Sequence, residues 1–81
     1  MNLEEVMETM VALWQQILPE QEIDVQESIF VFGADSIKIM GMMNQLQEKY
    51  GITLEVTDVF EHDTIQDLSR VILEKALEKS A

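Results

Sequence analysis

The chemistry available to this chain is concentrated in Phe32-Gly33-Ala34-Asp35-Ser36-Ile37-Lys38. A hydrophobic residue and a glycine lead into an Asp-Ser pair. An apolar run at helical spacing follows: Ile39, Met42, Met43, Leu46 and Tyr50. This pattern predicts a loop that ends at a helix N-terminus, with Asp35 or Ser36 as the cap. Gly33 suits the turn, because glycine takes backbone angles closed to other residues. Ser36 then falls in the first turn, where helix N–H groups lack intrahelical partners and the dipole end is positive. An anionic group joined to the Ser36 hydroxyl would be well placed there. The plainer reading is a helix cap and nothing more.

Little else in the chain can do chemistry. There is no cysteine, which excludes a disulfide framework and a thiolate metal site. His62 is the only histidine. Without clustered ligands it reads as a surface or turn residue, and no metal or catalytic residue is assigned. No base is evident beside Ser36, so the serine reads as the substrate of another enzyme rather than as a nucleophile in an active site of its own. A chain of 81 residues has no room for a catalytic cleft of useful size. The protein is therefore expected not to be an enzyme.

The surroundings of Ser36 sharpen the reading. Gly33-Ala34-Asp35-Ser36-Ile37 resembles the G-x-D-S-[LI] attachment motif of acyl and peptidyl carrier proteins. Gly51-Ile52-Thr53-Leu54 follows the second helix as in that family. Phe60-Glu61-His62-Asp63-Thr64-Ile65 is similar to the family's F-[ED]-x-[PD]-T-[IV] segment before the last helix. The likeness spans nearly the whole chain. It implies a 4′-phosphopantetheine arm, derived from coenzyme A and joined to Ser36 through a phosphodiester, with Asp35 and Gly33 completing the motif. It also implies a phosphopantetheinyl transferase as a partner. The arm's terminal thiol would hold acyl, aminoacyl or peptidyl groups as thioesters, and the protein would supply position and recognition.

The elements that must position Ser36 follow from periodicity. Leu3 to Leu18 reads as helix one, with Val6, Met10, Leu13, Trp14 and Ile17 on one face, Asn2 as the cap and Pro19 as the stop. Trp14 is expected in the core. Residues 20 to 34 lack a helical period and form a long loop, whose apolar residues should plug the bundle. Ser28 is a candidate for the start of a short turn.

Helix two runs from Ser36 to Lys49 or Tyr50, closed by Gly51. Thr57 is a candidate cap for a single turn through Phe60, which should be buried. Thr64 and Asp67 resemble a capping box for the last helix, and residues beyond Leu77 should fray. The expected fold is all-α over 1–81: a four-helix bundle with a short third helix and a long loop between helices one and two.

Ile37 and Met40 are left off the stripe of helix two and share the face of Ser36. An apolar pair beside an attachment site is what partner docking needs, and Val59 is either core or part of the same face. Gly41 costs the helix up to ~1 kcal/mol relative to Ala, and would allow a partner or the loop to approach closely. Lys38 is counted with Ile37, Met40 and Val59 as a partner-docking candidate, and it opposes the helix dipole unless it pairs with Asp35 or with a phosphodiester on Ser36.

The net charge of −11, with no Lys or Arg before Lys38, repels nucleic acid and anionic membrane. It favours partners with basic patches. No apolar run is long enough to cross a bilayer, and the acidic N-terminus argues against a signal peptide. A cytoplasmic monomer is expected.

Fatty-acid carriers usually have an acidic second helix, as family resemblance implies, whereas Lys38, Gln45, Gln47, Glu48 and Lys49 leave this one near neutral. Ser36-Ile37-Lys38 looks more like thiolation domains of nonribosomal peptide synthetases. The expected function is thus a carrier in peptide or mixed peptide–polyketide synthesis, served by adenylation, condensation, ketosynthase or acyltransferase enzymes. The alternatives are an acyl carrier for polyketide or other acyl chains, and an unmodified acidic helical interaction domain.

Overall fold

Amphipathic spacing and four distinct start signals build the observed architecture. A computed structural model describes residues 2–80. The helices are α1 (Leu3–Ile17), α2 (Ser36–Tyr50), α3 (Val56–Glu61) and α4 (Ile65–Ser80), with no strand among the described residues. This is the expected all-α, four-helix arrangement with a short third helix.

Asn2 caps α1, its side chain accepting the Glu5 N–H at 2.9 Å. Val6, Met10, Leu13 and Trp14 then turn inward, and Trp14 is fully buried. The face they form lies mainly against α4, which contributes Ile65, Leu68 and Ile72, and also against α2. Helix α2 contributes Ile39, Met42 and Leu46, with Met43 half-buried at the edge. Gly51 ends it at φ +65°, a left-handed conformation that favours glycine.

Four expectations about side chains are corrected. Tyr50 is 44% exposed rather than part of the core. It is the last residue of α2, and its ring borders a groove beside Ile52 at the bundle's edge. Phe60 is 59% exposed, because six-residue α3 buries one position fully and Val59 takes it. The Phe60 ring instead stacks on Phe30 of the loop, with centroids 5.5 Å apart and an interplanar angle of 8°. Glu55, not Thr57, is the N-cap of α3, and the Asp58 carboxylate accepts the Glu55 N–H at 2.9 Å. Finally, α4 is helical past Leu77. It continues to Ser80, and Lys79 Nζ donates to the Gly51 carbonyl at 2.7 Å.

The long loop is held down at both faces. Ile29, Phe32 and Ala34 enter the core, while Val31 stays exposed. The Ile29 N–H donates to the Asp63 carbonyl at 2.7 Å, and the Gln66 N–H donates to the Val25 carbonyl at 3.0 Å. These bonds fasten the loop to the α3–α4 junction. The loop therefore arrives at α2 on a fixed path.

Candidate functional site

The path ends in a tight turn. Buried Ile29 and Phe32 bracket it, the Gly33 N–H donates to the Phe30 carbonyl, and the Ala34 N–H donates to the Ile29 carbonyl, each at 3.2 Å. Gly33 has φ +97°, in the region that strains any residue with a Cβ. Nothing lies within 4 Å of where a Cβ on Gly33 would project, so the turn faces open space. Ala34 is buried, and its anchoring sets where the next two residues emerge.

Those residues are Asp35, the N-cap, and Ser36, the first residue of α2, both exposed. Asp35 Oδ1 accepts the Lys38 N–H at 2.9 Å. Its Oδ2 pairs with Lys38 Nζ at 3.0 Å. The Lys38 N–H, then the Lys38 side chain, hold the Asp35 carboxyl below its ordinary value. Asp35 therefore does the capping, and the Ser36 hydroxyl is spared that duty. A group attached to Ser36 would meet the positive end of a four-turn helix and no wall of protein. Ser36, Asp35 and Gly33 fit a phosphodiester-linked group: an accessible oxygen, a rigid approach and an open mouth.

Ile37 is 80% exposed and Met40 59% exposed, three residues apart on α2. A Cβ on the neighbouring Gly41 would meet nothing within 4 Å, so the loop does not press against it. Val59 does not join them: it is fully buried, and the docking-face alternative is corrected to core. His62 is a half-buried turn residue, the C-cap of α3, with its N–H on the Asp58 carbonyl. No group of three or more His, Cys, Asp or Glu positioned for a metal exists among the described residues.

Two contacts that support the site were not evident in the sequence. Ser28 Oγ donates to Asp63 Oδ2 at 2.7 Å, and Ser28 forms an isolated antiparallel bridge with Thr64. Ser28 as a turn former and Asp63-Thr64 as a cap region were each legible; their meeting was not.

Comparison with known proteins bears on the same segment. Residues 8–72 match the family described as phosphopantetheine attachment site. Over 68 residues, 84% of the chain, it is 40% identical to a plipastatin synthase polypeptide of Bacillus subtilis. Over 63 residues, 75% of the chain, it is 36% identical to nonribosomal peptide synthetase SIDD of Beauveria bassiana. The chain spans 3% of the length of each of these relatives. Its fold is similar to that of BlmI, a type-II acyl-carrier protein from Streptomyces verticillus, with a TM-score of 0.80 at 17% identity, covering 89% of this chain and 87% of that one.

Proposed function

The chain belongs to the phosphopantetheine attachment site family, and from that premise we propose that Ser36 is its attachment residue and that it serves as a thiolation domain in nonribosomal peptide synthesis. The observation that carries the assignment is the division of labour at the head of α2. Asp35 satisfies the helix end, and the adjacent Ser36 hydroxyl is presented to solvent on the family's motif. The peptide reading draws on the synthetases to which the chain is similar and on the near-neutral charge of α2.

Ser36 acts as a substrate here. Asp35, its nearest carboxylate, is engaged by Lys38 and held in its ionised form, which makes it a weak base. A phosphopantetheinyl transferase supplies the base. The Ser36 oxygen forms a bond to the phosphorus on the pantetheine side of coenzyme A, the serine proton passes to that base, and 3′,5′-ADP leaves. Once attached, the arm supplies a thiol that carries acyl, aminoacyl or peptidyl groups as thioesters. The chain's own residues fix the root of the tether, which raises the local concentration of cargo at successive partner sites. Ile37 and Met40 offer a small apolar patch beside that root, suited to brief, repeated docking with synthetase domains.

Incubation with coenzyme A and a phosphopantetheinyl transferase, followed by intact-protein mass spectrometry, tests the assignment. The expected result is a gain of one phosphopantetheinyl group that disappears in Ser36→Ala. No gain with several active transferases, or a gain that survives Ser36→Ala, overturns it. Loading by adenylation domains in preference to acyltransferases separates peptide from polyketide service.

A further inference from the structure

Lys38 stands where its charge is unfavourable, in the first turn of a helix, next to the positive dipole end. Its ammonium folds back beyond the helix mouth to Asp35 Oδ2. The pair is open to water on both sides, so it is screened and easily redirected.

The other four Lys and Arg side chains lie elsewhere, three of them with partners of their own. Arg70 pairs with Asp67, Lys75 faces Asp58, and Lys79 holds the Gly51 carbonyl. Lys49 lies in the last turn of α2, at its opposite end. No Lys or Arg occurs in residues 1–37. Of the five, Lys38 alone is directed at the end of α2 that bears Ser36.

Resting on the assignment of Ser36 above, we propose that Lys38 is a positioning residue for the phosphodiester. In the unmodified protein its ammonium is held by Asp35. In the modified protein it is shared between the Asp35 carboxylate and the phosphodiester one residue away. Ser36 and Lys38 point to different sides of the helix body, as residues two apart do. That separation ceases to matter at the mouth, because the long Lys38 stem already reaches back to residue 35. Modification adds a second anion beside Asp35, and a cation between the two relieves their repulsion. The root of the arm thereby gains a preferred direction that a free pivot would lack.

Phosphorus NMR on the modified chain tests this, with Lys49→Met as the control for loss of one positive charge. The 31P resonance is expected to move in Lys38→Met, to stay near wild type in Lys38→Arg, and to be unchanged in Lys49→Met. In the wild-type protein, the Lys38 ammonium 15N and ε-methylene signals should shift on modification while those of Lys49 do not; this comparison decides the matter if Lys38→Met resists modification. Mass spectra of the same samples separate two failures. A wild-type chain that takes up no arm overturns the Ser36 assignment and this inference with it. Full uptake, with the Lys38 signals unmoved or with 31P positions alike in Lys38→Met and Lys49→Met, overturns the role of Lys38 alone.

Discussion

Ser28 and Asp63, 35 residues apart in sequence, are joined by a 2.7 Å hydrogen bond from the serine hydroxyl to the carboxylate. The bond closes a strap between the long loop and the α3–α4 junction, beside the Ile29–Asp63 backbone bond. It fixes the loop a few residues before Gly33, and so helps to set the direction from which the chain enters α2.

The strap should be measurable as stability. A hydrogen bond to a charged acceptor contributes ~1.5–3 kcal/mol, and partial exposure here puts Ser28→Ala near the lower end. The urea midpoint should fall with the m-value unchanged. Amide exchange at Ile29 should quicken more than at Met10 in the core. An unaltered midpoint would show that the buried loop residues and the backbone bonds hold the loop without the Ser28 hydroxyl.

The exposed stack of Phe30 on Phe60 leads to a different expectation. A fully buried phenylalanine costs ~3–5 kcal/mol on truncation to alanine. An aromatic pair at the surface contributes ~0.5–1.5 kcal/mol beyond its area. Phe60→Ala should therefore destabilise by only about 1–2 kcal/mol by chemical denaturation. Leu46→Ala, in the core, should cost ~2–5 kcal/mol. Equal losses at the two positions would mean that Phe60 is packed more deeply than its 59% exposure indicates.

These two contacts mark the boundary of what could be read from the sequence. Local rules located the helices and most of their ends. Asn2, Asp35, Gly51 and Thr64 all act where capping preferences put them, with the Asp67 N–H on Thr64 Oγ1 at 3.1 Å. The exposed Ser36 at the head of α2 followed from the same rules. Periodicity assigns a residue to a face, however, and does not say how far the neighbouring elements extend over it. Tyr50 and Phe60 lie on edges that nothing covers completely. The Ser28–Asp63 and Lys79–Gly51 bonds depend on how distant elements meet, which no local window contains. At α3 capping preference points to Thr57, whereas Asp58 bonds back to the N–H of Glu55, a residue type that gives little warning of a helix start.

The Asp35 carboxyl carries a pH signature. Its folded pKa lies below the ordinary 3.8, chiefly through the Lys38 N–H. A lowered carboxyl favours the folded state once the unfolded group is ionised. Its contribution is thus complete above about pH 4 and is lost as pH falls through the folded value. Asp35→Asn keeps a good capping side chain and removes the charge. The stability difference between wild type and variant should be constant near neutrality and shrink in acid below pH 3.8. A 13C titration of the Asp35 carboxyl gives the folded value directly. A difference that is flat across the acid range would mean that Lys38 acts on Asp35 by geometry without favouring its charge.

Docking can be separated from folding at Ile37, because 80% of that side chain is already in water. Placing a carboxylate there removes little buried area, so Ile37→Asp should retain the helical circular dichroism of the parent. Its effect should appear against partners. An apolar anchor at the centre of a small contact contributes on the order of 1–2 kcal/mol, or about 5- to 30-fold in affinity. A loss of that size is expected as a raised KM for the transferase or for a condensation partner. Met40→Asp should show a smaller loss, since Met40 is the less exposed member of the pair and its flexible chain adapts to different surfaces. Charge alone could mimic the effect by repelling an acidic partner, so Ile37→Ala is the necessary companion. If Ile37→Ala slows transfer in the same direction at high salt, where exposed charges are screened, the contact is apolar. If both variants keep parental kinetics with every transferase and synthetase domain tried, α2 presents Ser36 without helping partners find it.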